Sequence, residues 1–325
     1  MGQDRLELLA QVAAWYYEDD LPQAAIARRI GRSRSMVSRL LSEARENGLV
    51  EIKVHYPLVK TATELEQRLC ETFSLSQAAV LVDPPSDYPI LIRHLGELGA
   101  RVLRRWLHDG VQVGIMWGTT IYEVVWALPN LPLNGSTVFQ MIGTVGRGNY
   151  LMDGPELARS LSQKLNGNYQ FLPAPIFAED ESVASSFLRQ SAIAEILARV
   201  REVDVALLGI GTLEGYFSYL ETTGYVGSGD LKTLRRAGGV GSILGIFIDG
   251  VGEPLDTSIN RRVIGFKDTE ALKEIPSVVA VAGGVDKAPA ILAALRGGYL
   301  GTLVTDAMTA SEVLSLYKRR VGAAA

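Results

Sequence analysis

Residues 22–52 read PQAAIARRIGRSRSMVSRLLSEARENGLVEI, and this stretch decides the fold of the N-terminal region. Pro22 suits the first turn of a helix, and Gly31 is the residue type that commonly follows a helix end. Ser33 is a good N-cap for a second helix that extends to Gly48. Two short helices joined by a turn with glycine are typical of a helix-turn-helix.

The residue types on the outer face of the second helix indicate what kind of molecule the helix binds. A solvated helix face normally mixes Glu with Lys, whereas this face carries arginine and serine as far as residue 42. Five arginines and no acidic residue occur between residues 21 and 42. Arginine pairs with guanine and phosphate, and small hydroxyls allow close approach to DNA. The sequence predicts that this motif binds double-stranded DNA through Gln23, Arg32, Ser33, Arg34, Ser35, Ser38 and Arg39.

Elements on either side complete a small domain. Residues 5–18 have apolar side chains at helical spacing, and residues 49–54 alternate polar and apolar side chains like a short strand. This combination fits a winged helix-turn-helix, and the basic stretch favours it over a helical hairpin used for protein contacts. Because Pro57 lies in a segment without periodicity, we expect a DNA-binding domain over residues 1–57 and a larger domain over residues 58–325.

The composition is that of a folded protein of two domains, with 325 residues of which 47% are hydrophobic. The net charge is −4, so the basic character is local. Cys70 is the single cysteine, which excludes an internal disulfide, and the three histidines are far apart. We expect no metal site and no cofactor. With no signal peptide and no membrane-spanning apolar run in the sequence, we expect a cytoplasmic protein that has no membrane partner.

Beyond residue 58, short apolar runs alternate with helical patterns. The strand candidates are residues 111–117, 137–142, 204–210, 242–248, 278–282 and 301–305. The helix candidates are residues 121–128, 155–165, 186–200, 269–273, 288–296 and 310–317. Such interleaving predicts an α/β fold with a doubly wound, mostly parallel sheet, whose ligands bind at the carboxyl ends of the strands. The amphipathic run from Leu91 to Trp106 predicts a helix used for packing or for subunit contact.

Several strand ends carry groups that can bind an anion. Gly118, Thr119 and Thr120 stand between a strand and a helix, where glycine exposes the backbone and hydroxyls donate hydrogen bonds. Lys287 lies in the first turn of a later helix, where the helix dipole disfavours a cation unless an anion is bound. Many α/β turns contain Gly-Thr and many surface lysines are simply solvated, so both interpretations stay open at this point.

Three further residues follow strands in the same way. Gly211 lies in a glycine-rich segment, LLGIGT, directly after a strand candidate. Asp249 ends another, where its carboxylate either accepts hydrogen bonds from ligand hydroxyls or caps a turn. Arg147, in GTVGRGN, is either another residue that could bind an anion or an ordinary surface arginine.

The chain resembles the SorC family of sugar-responsive bacterial transcription regulators over nearly its whole length. The resemblance rests on the order and spacing of several segments, each of which is modest alone. They are the helix-turn-helix text from Gln23 to Ile52, the GTT turn at 118–120, Pro173-Ala174-Pro175, ALLGIGT at 206–212, GIFIDGVG at 245–252, AGGVDKAPAILAALRGGY at 282–299 and LVTD at 303–306.

The resemblance implies a sensor domain similar in fold to glucosamine-6-phosphate deaminase and ribose-5-phosphate isomerase. It implies a regulator of a sugar-utilisation operon, commonly a repressor, that acts as a dimer or tetramer and responds to a phosphorylated sugar or related metabolite. Gly118, Thr119, Thr120 and Lys287 match the positions that hold the effector's phosphate. The full set of expected effector-binding residues is Gly118, Thr119, Thr120, Gly211, Ser242, Asp249 and Lys287.

Two positions depart from the family pattern. Relatives carry an acid that contacts effector hydroxyls where this chain has Ser242, and some carry a basic residue where it has Ile142. These departures leave the effector's identity open and keep a scaffold with a degenerate pocket as one alternative. The other alternative, an isomerase- or deaminase-like enzyme with a DNA-binding domain, needs a positioned base or a histidine relay. Because no histidine follows His108, we expect no catalytic residue and no enzyme.

Overall fold

A computed structural model describes residues 3–50, 60–213 and 224–324. The chain forms two compact units, Met1–His55 and Tyr56–Ala325. The domain boundary predicted from the sequence, between residues 57 and 58, lies outside the described ranges.

Over residues 3–50 the N-terminal unit contains three helices, α1 (Gln3–Tyr17), α2 (Gln23–Arg29) and α3 (Arg34–Glu46). Helix α3 begins where it does because the Ser33 hydroxyl accepts a hydrogen bond from the Met36 N–H at 3.2 Å. The three helices enclose a small apolar core, whose fully buried members are Leu9, Val12, Ile26, Val37 and Ala44.

The α2–α3 pair has the predicted helix-turn-helix arrangement. Gly31 lies in the turn with φ +64°, a conformation that favours glycine. Helix α1 is joined to α3 by an ion pair between Arg5 and Glu43, N to O 2.5 Å. Of the strand predicted over residues 49–54, Leu49 and Val50 are not in a strand, and the rest lies outside the described residues.

The C-terminal unit is built on a sheet of seven strands, all parallel. In chain order its members are β1 (Gln77–Leu81), β2 (Gln112–Ile115), β3 (Thr137–Gln140), β4 (Asn168–Gln170), β5 (Val205–Leu208), β9 (Ser277–Val281) and β10 (Thr302–Asp306). A separate antiparallel sheet consists of β6 (Ile210–Thr212), β7 (Gly239–Ile243) and β8 (Ile246–Asp249).

Helices cover the parallel sheet. They are α4 (Thr63–Phe73), α5 (Tyr88–Leu103), α6 (Thr119–Ala127), α7 (Gly154–Leu165), α8 (Glu181–Leu188), α9 (Ser191–Val200), α10 (Ser228–Arg236), α11 (Ser258–Arg261), α12 (Thr269–Glu274), α13 (Ala288–Arg296) and α14 (Ala307–Ala324). The expected α/β architecture with a mostly parallel sheet is confirmed.

The strand order β1-β10-β9-β5-β2-β3-β4 determines where a ligand can bind. After β2 the chain continues outward through β3 and β4, and it then returns to place β5 on the other side of β2. Such a reversal leaves a crevice at the carboxyl ends of the two strands, because their following segments diverge to opposite sides.

Two sequence-based element assignments were wrong. The single strand expected over residues 242–248 is the β7–β8 hairpin, whose turn residues Leu244 and Gly245 have φ +49° and +74°. Two positive φ values are typical of a type I′ hairpin turn, and leucine at such a position gives no signal in the sequence. The helix expected over residues 186–200 is divided into α8 and α9 because Gln190 adopts an extended conformation.

The apolar run from Leu91 to Trp106 packs inside the unit. Leu91, Leu95 and Leu98 of α5 are buried in the core of this single chain. These three side chains therefore serve packing within the subunit and not subunit contact. The α5 and α6 backbones approach closely at Gly96, where a Cβ would collide with Glu123.

Candidate functional site

A cleft opens at the carboxyl ends of β2, β5 and β9, the three central strands. It contains about 680 Å³ of empty space, part of it open to solvent. The antiparallel β6–β8 sheet forms one side. The lining residues are Met116, Trp117, Gly118, Thr119, Thr120, Ile121, Gly209, Ile210, Gly211, Thr212, Ser242, Gly245, Phe247 and Lys287.

The turn between β2 and α6 brings backbone and hydroxyl groups into the cleft. Gly118 has φ +137°, and nothing lies within 4 Å of the position that a Cβ would occupy. The turn is fixed by two hydrogen bonds, from the Gly118 N–H to the Met152 carbonyl at 3.1 Å and from the Tyr122 N–H to the Gly118 carbonyl at 2.9 Å. A ligand can therefore approach the backbone at the N-terminus of α6, where the helix dipole favours an anion.

Lys287 supplies the cation of the cleft. It precedes α13, and its N–H donates to the Gly284 carbonyl at 2.8 Å. The side chain is half-buried, and among the described residues its ammonium has no hydrogen bond or ion pair. A half-buried ammonium without a protein partner is suited to an anionic ligand.

A buried carboxylate positions the segment that carries Lys287. Asp306, at the end of β10, is 1% exposed and accepts hydrogen bonds from the Gly284 N–H at 2.8 Å and the Thr309 hydroxyl at 2.6 Å. It also accepts from the Thr309 N–H at 2.9 Å. Both carboxylate oxygens of Asp306 therefore accept hydrogen bonds from the protein itself, and the bond from Gly284 holds the turn that follows β9.

Gly211 and Ser242 face each other across β6 and β7 as antiparallel partners. A Cβ at Gly211 would collide with the Ser242 hydroxyl, so glycine makes room for that hydroxyl in the cleft wall. Ser242 offers one neutral group here.

A carboxyl group lies on α6 outside the cleft lining. Burial raises the pKa of Glu123, the Arg93 guanidinium opposes that shift, and the Glu97 carboxyl adds to it. The protonated form of Glu123 is therefore favoured more than in an exposed glutamate.

The second candidate surface is the outer face of α3. Gln23 is half-buried at the start of α2, whereas the other predicted DNA contacts are exposed: Arg32, Ser33, Arg34, Ser35, Ser38 and Arg39. The hydroxyls of Ser33 and Ser35 lie 2.9 Å apart. Ser33 thus has two properties: its hydroxyl caps α3 by accepting from the Met36 N–H, and it lies on the exposed face.

The arginines of this face make no polar contact within the part of the chain that the structure describes. Among the described residues, the side chains of Arg32, Arg34 and Arg39 have no ion pair or hydrogen bond. The exposed face thus presents three uncompensated guanidinium groups, the footprint expected of a surface that binds a polyanion.

Comparison with known proteins decides the family. A family model described as "Putative sugar-binding domain" matches residues 58–315. The chain is 31% identical over 315 residues to the transcriptional regulator LsrR of Enterobacter sp. (strain 638), covering 95% of this chain and 93% of that protein. The chain belongs to the SorC family of sugar-binding transcriptional regulators.

Other matches cover almost the full length of this SorC-family regulator. It is 29% identical to the deoxyribonucleoside regulator of Bacillus subtilis (strain 168), over 97% of this chain and 99% of that protein. The crystal structure of the full-length sorbitol operon regulator SorC from Klebsiella pneumoniae superimposes with a TM-score of 0.71 at 27% identity, covering 96% of this chain and 100% of that one. The chain is thus a DNA-binding transcriptional regulator controlled by a small metabolite.

Six of the seven predicted effector residues of this SorC-family regulator line one cleft; they are Gly118, Thr119, Thr120, Gly211, Ser242 and Lys287. Asp249 is not among the lining residues. Its carboxylate accepts hydrogen bonds from the Val251 N–H at 2.9 Å and the Glu253 N–H at 3.0 Å. Asp249 therefore caps a turn, which was one of the two roles predicted for it. Arg147 also lies elsewhere, with its guanidinium over the Tyr225 ring at 5.1 Å.

The apolar wall of the cleft was not predicted from the sequence. Met116, Trp117 and Phe247 line the cleft, although each was assigned to the last residues of a strand. Apolar side chains at strand ends look like core in a sequence, so no local signal separated them from it.

Within the described ranges, no helix is both long and apolar enough to cross a membrane. Over the same part of the chain, no three His, Cys, Asp or Glu side chains are grouped as metal ligands would be.

Proposed function

We propose that the cleft binds a phosphorylated sugar or related metabolite and that its occupancy changes the affinity of the α3 face for operator DNA. The observation that carries this proposal is the placement of the Lys287 ammonium and the Gly118–Thr120 turn in the same cleft. The phosphate would accept hydrogen bonds from the turn and pair with Lys287.

Operator binding is assigned to the exposed residues of α3 and the turn before it. Arginine can bind guanine edges or phosphates, while the serine hydroxyls allow the helix to enter the major groove. Gln23 would contact a phosphate at the start of α2. The names of the relatives, a deoxyribonucleoside regulator and a sorbitol operon regulator, support control of a carbohydrate-utilisation operon.

The regulator acts as a dimer or tetramer in this proposal. One helix-turn-helix covers one half-site, and two-fold pairing supplies the affinity and specificity of a full operator. Sedimentation of the full chain at micromolar concentration measures this directly. A monomer under those conditions, with undiminished operator binding, would contradict the assembly.

We also assign the cleft to binding without turnover. The relatives named above are regulators, and no carboxyl, imidazole or thiol side chain is among the described residues that line the cleft. Proton transfer at a sugar carbon would require a positioned base.

A thermal-shift screen of phosphate esters against the matching free polyols tests the phosphate site. A ligand that binds the folded state raises the unfolding midpoint, and we expect esters to raise it where the polyols do not. Gel shifts with an operator selected from a random oligonucleotide pool then measure the response of DNA binding. Equal shifts with esters and free polyols would refute the phosphate site.

A further inference from the structure

The turn that carries Lys287 is hydrogen-bonded to the end of β10. The Lys287 N–H donates to the Gly284 carbonyl at 2.8 Å, and the Gly284 N–H donates to the Asp306 carboxylate at 2.8 Å. Asp306 is 1% exposed and accepts two further bonds, both from Thr309. A buried carboxylate that loses a donor keeps a charge that water cannot reach, which costs more than the loss of an ordinary hydrogen bond. We therefore expect Asp306 to follow a displacement of the Lys287 turn.

Asp306 is also the last residue of a strand that pairs in register with β1. The two strands pair along all five residues of each, and Asp306 lies opposite Leu81 at the carboxyl edge of the sheet. Leu81 is 3% exposed and forms an isolated antiparallel bridge with Thr61 on its other side. The segments of Asp306, Leu81 and Thr61 thus lie side by side at this edge.

The segment 60–62 covers the outer edge of β1. The Ala62 N–H donates to the Val80 carbonyl at 2.9 Å, and the Val82 N–H donates to the Lys60 carbonyl at 3.0 Å. This segment is the first described part of the C-terminal unit, and the chain reaches the DNA-binding unit through the residues that precede it. A shift of the end of β1 is therefore a shift of the segment that leads to the DNA-binding unit.

We propose that occupancy of the cleft is transmitted toward the DNA-binding unit through the Lys287 turn, Asp306, β1 and the segment 60–62. This inference rests on the proposed binding of a phosphate at Lys287. An anion that pairs with the Lys287 ammonium shifts its turn, Asp306 keeps its bond to Gly284 and carries the end of β10 along, and β1 passes the shift to residues 60–62. Because packed elements adopt discrete arrangements and do not deform continuously, a small shift at the cleft is enough to favour one of two positions of this segment.

The test measures how operator binding by the full chain responds to inorganic phosphate, with the ionic strength held constant by sodium chloride. Coupling between two sites typically amounts to a factor of about five or more, so phosphate should change the operator affinity of the wild type by at least roughly fivefold. Ala62→Pro removes the N–H that holds the segment 60–62 to β1, and its response should fall below about twofold. Calorimetry should show that Ala62→Pro binds phosphate as tightly as the wild type.

Two controls separate this path from a general loss of stability. Thr63→Pro places proline one position later, at the first residue of α4, where proline is tolerated, and it should keep the wild-type response. The Val80 N–H donates to the Glu66 carboxylate at 2.9 Å, so Glu66→Ala removes an acceptor that Glu66→Gln retains. We expect a reduced response from Glu66→Ala and a wild-type response from Glu66→Gln. This pair decides the question if Ala62→Pro does not fold.

Hydrogen exchange in the wild type follows the same path without DNA. Phosphate should change the exchange rates of the Ala62 and Val82 amides, which hold the segment 60–62 against the carboxyl end of β1. The Ser76 amide, which donates to the Gly301 carbonyl next to the amino end of β1, should exchange at an unchanged rate. Equal changes at all three amides would show a general stabilisation and would contradict the path.

The outcomes separate the two proposals. If the wild type binds inorganic phosphate no more tightly than Lys287→Met, the phosphate site fails and this inference fails with it. If phosphate binds at Lys287 and changes operator affinity equally in the wild type, Ala62→Pro and Glu66→Ala, the phosphate site stands and the path through β1 is wrong. The path is also wrong if phosphate binds at Lys287 and leaves the operator affinity of the wild type unchanged.

Discussion

The α3 face and the β2–β5–β9 cleft both present cations that have no partner among the described residues, but they present them differently. On α3 and the turn before it several guanidinium groups are exposed, whereas the cleft holds one half-buried ammonium beside a helix N-terminus. An exposed row of arginines suits a long polyanion, where affinity is the sum of many contacts. A single cation in an enclosed site suits one small anion, where geometry decides affinity. We therefore propose that the two units bind anions of different size.

The largest effect is expected when the α3 face is neutralised. An arginine bound to a base edge contributes about 1–3 kcal/mol, so Arg34→Ala with Arg39→Ala should weaken operator binding by more than roughly thirtyfold. Gel shifts on the selected operator measure this loss. Circular dichroism and the ligand-induced thermal shift of the same variant should match the wild type.

A charge at the other end of α3 serves as the control. Arg45, in the last turn of α3, donates to the Ser42 hydroxyl at 3.2 Å and was not predicted as a DNA contact. Arg45→Ala should leave most operator affinity intact. Equal losses for Arg45→Ala and the double variant would show that general charge, and not the N-terminal part of α3, determines binding.

The second prediction removes the cation of the cleft. Lys287→Met keeps the length of the side chain and removes a charge-assisted contact of about 1.5–3 kcal/mol, so the phosphate ester should bind roughly ten- to a hundredfold more weakly. Calorimetric titration measures the change. Operator affinity without effector should not change, and an unaltered ester affinity would place the phosphate elsewhere.

The third prediction concerns the strained turn before α6. Gly118→Ala forces a side chain into a φ of +137°, which should cost about 1–3 kcal/mol of stability and place a methyl group where the ligand approaches the backbone. Thermal unfolding and ester titration should both show the loss. Gly229→Ala is the matched control, because Gly229 lies in α10 with nothing within 4 Å of its Cβ position. If the two variants behave alike, the conformation of Gly118 is not what the site requires.

The smallest effect is expected at the Arg5–Glu43 pair, which joins α1 to α3. The hydrogen bond from Arg5 holds the pKa of Glu43 below its usual value. A lowered pKa in the folded state stabilises the fold above the ordinary carboxyl pKa, and this contribution disappears as the pH falls through the folded-state pKa. Glu43→Gln should therefore speed amide hydrogen exchange in α3 slightly at pH 7. The difference from wild type should vanish in acid, and a difference independent of pH would contradict the pairing.

The sequence predicted features that depend on local chemistry. Ser33 is the N-cap of α3, and Gly118 with its two threonines lies where a strand meets a helix, as their residue types required. The strands of the parallel sheet were evident because they are short, continuous apolar runs bounded by helices.

Features that depend on tertiary packing were not predictable in this way. Leu244 adopts a positive φ that its residue type disfavours, so the turn of the β7–β8 hairpin could not be predicted from the sequence. Trp117 and Phe247 line the cleft only because the β6–β8 sheet lies over the ends of the central strands. Asp249 and Asp306 both end strands, but one caps a turn and the other orders the Lys287 segment, a distinction that only their hydrogen-bond partners reveal.

We propose that an anion in the cleft controls operator binding by the other unit. The direct measurement is operator affinity as a function of phosphate-ester concentration, for wild type and Lys287→Met in parallel. We predict that the ester changes the operator affinity of the wild type and that the variant needs roughly ten- to a hundredfold more ester for the same change, as the weakened contact requires. If the variant responds at the same ester concentration as the wild type, the cleft is not the sensor.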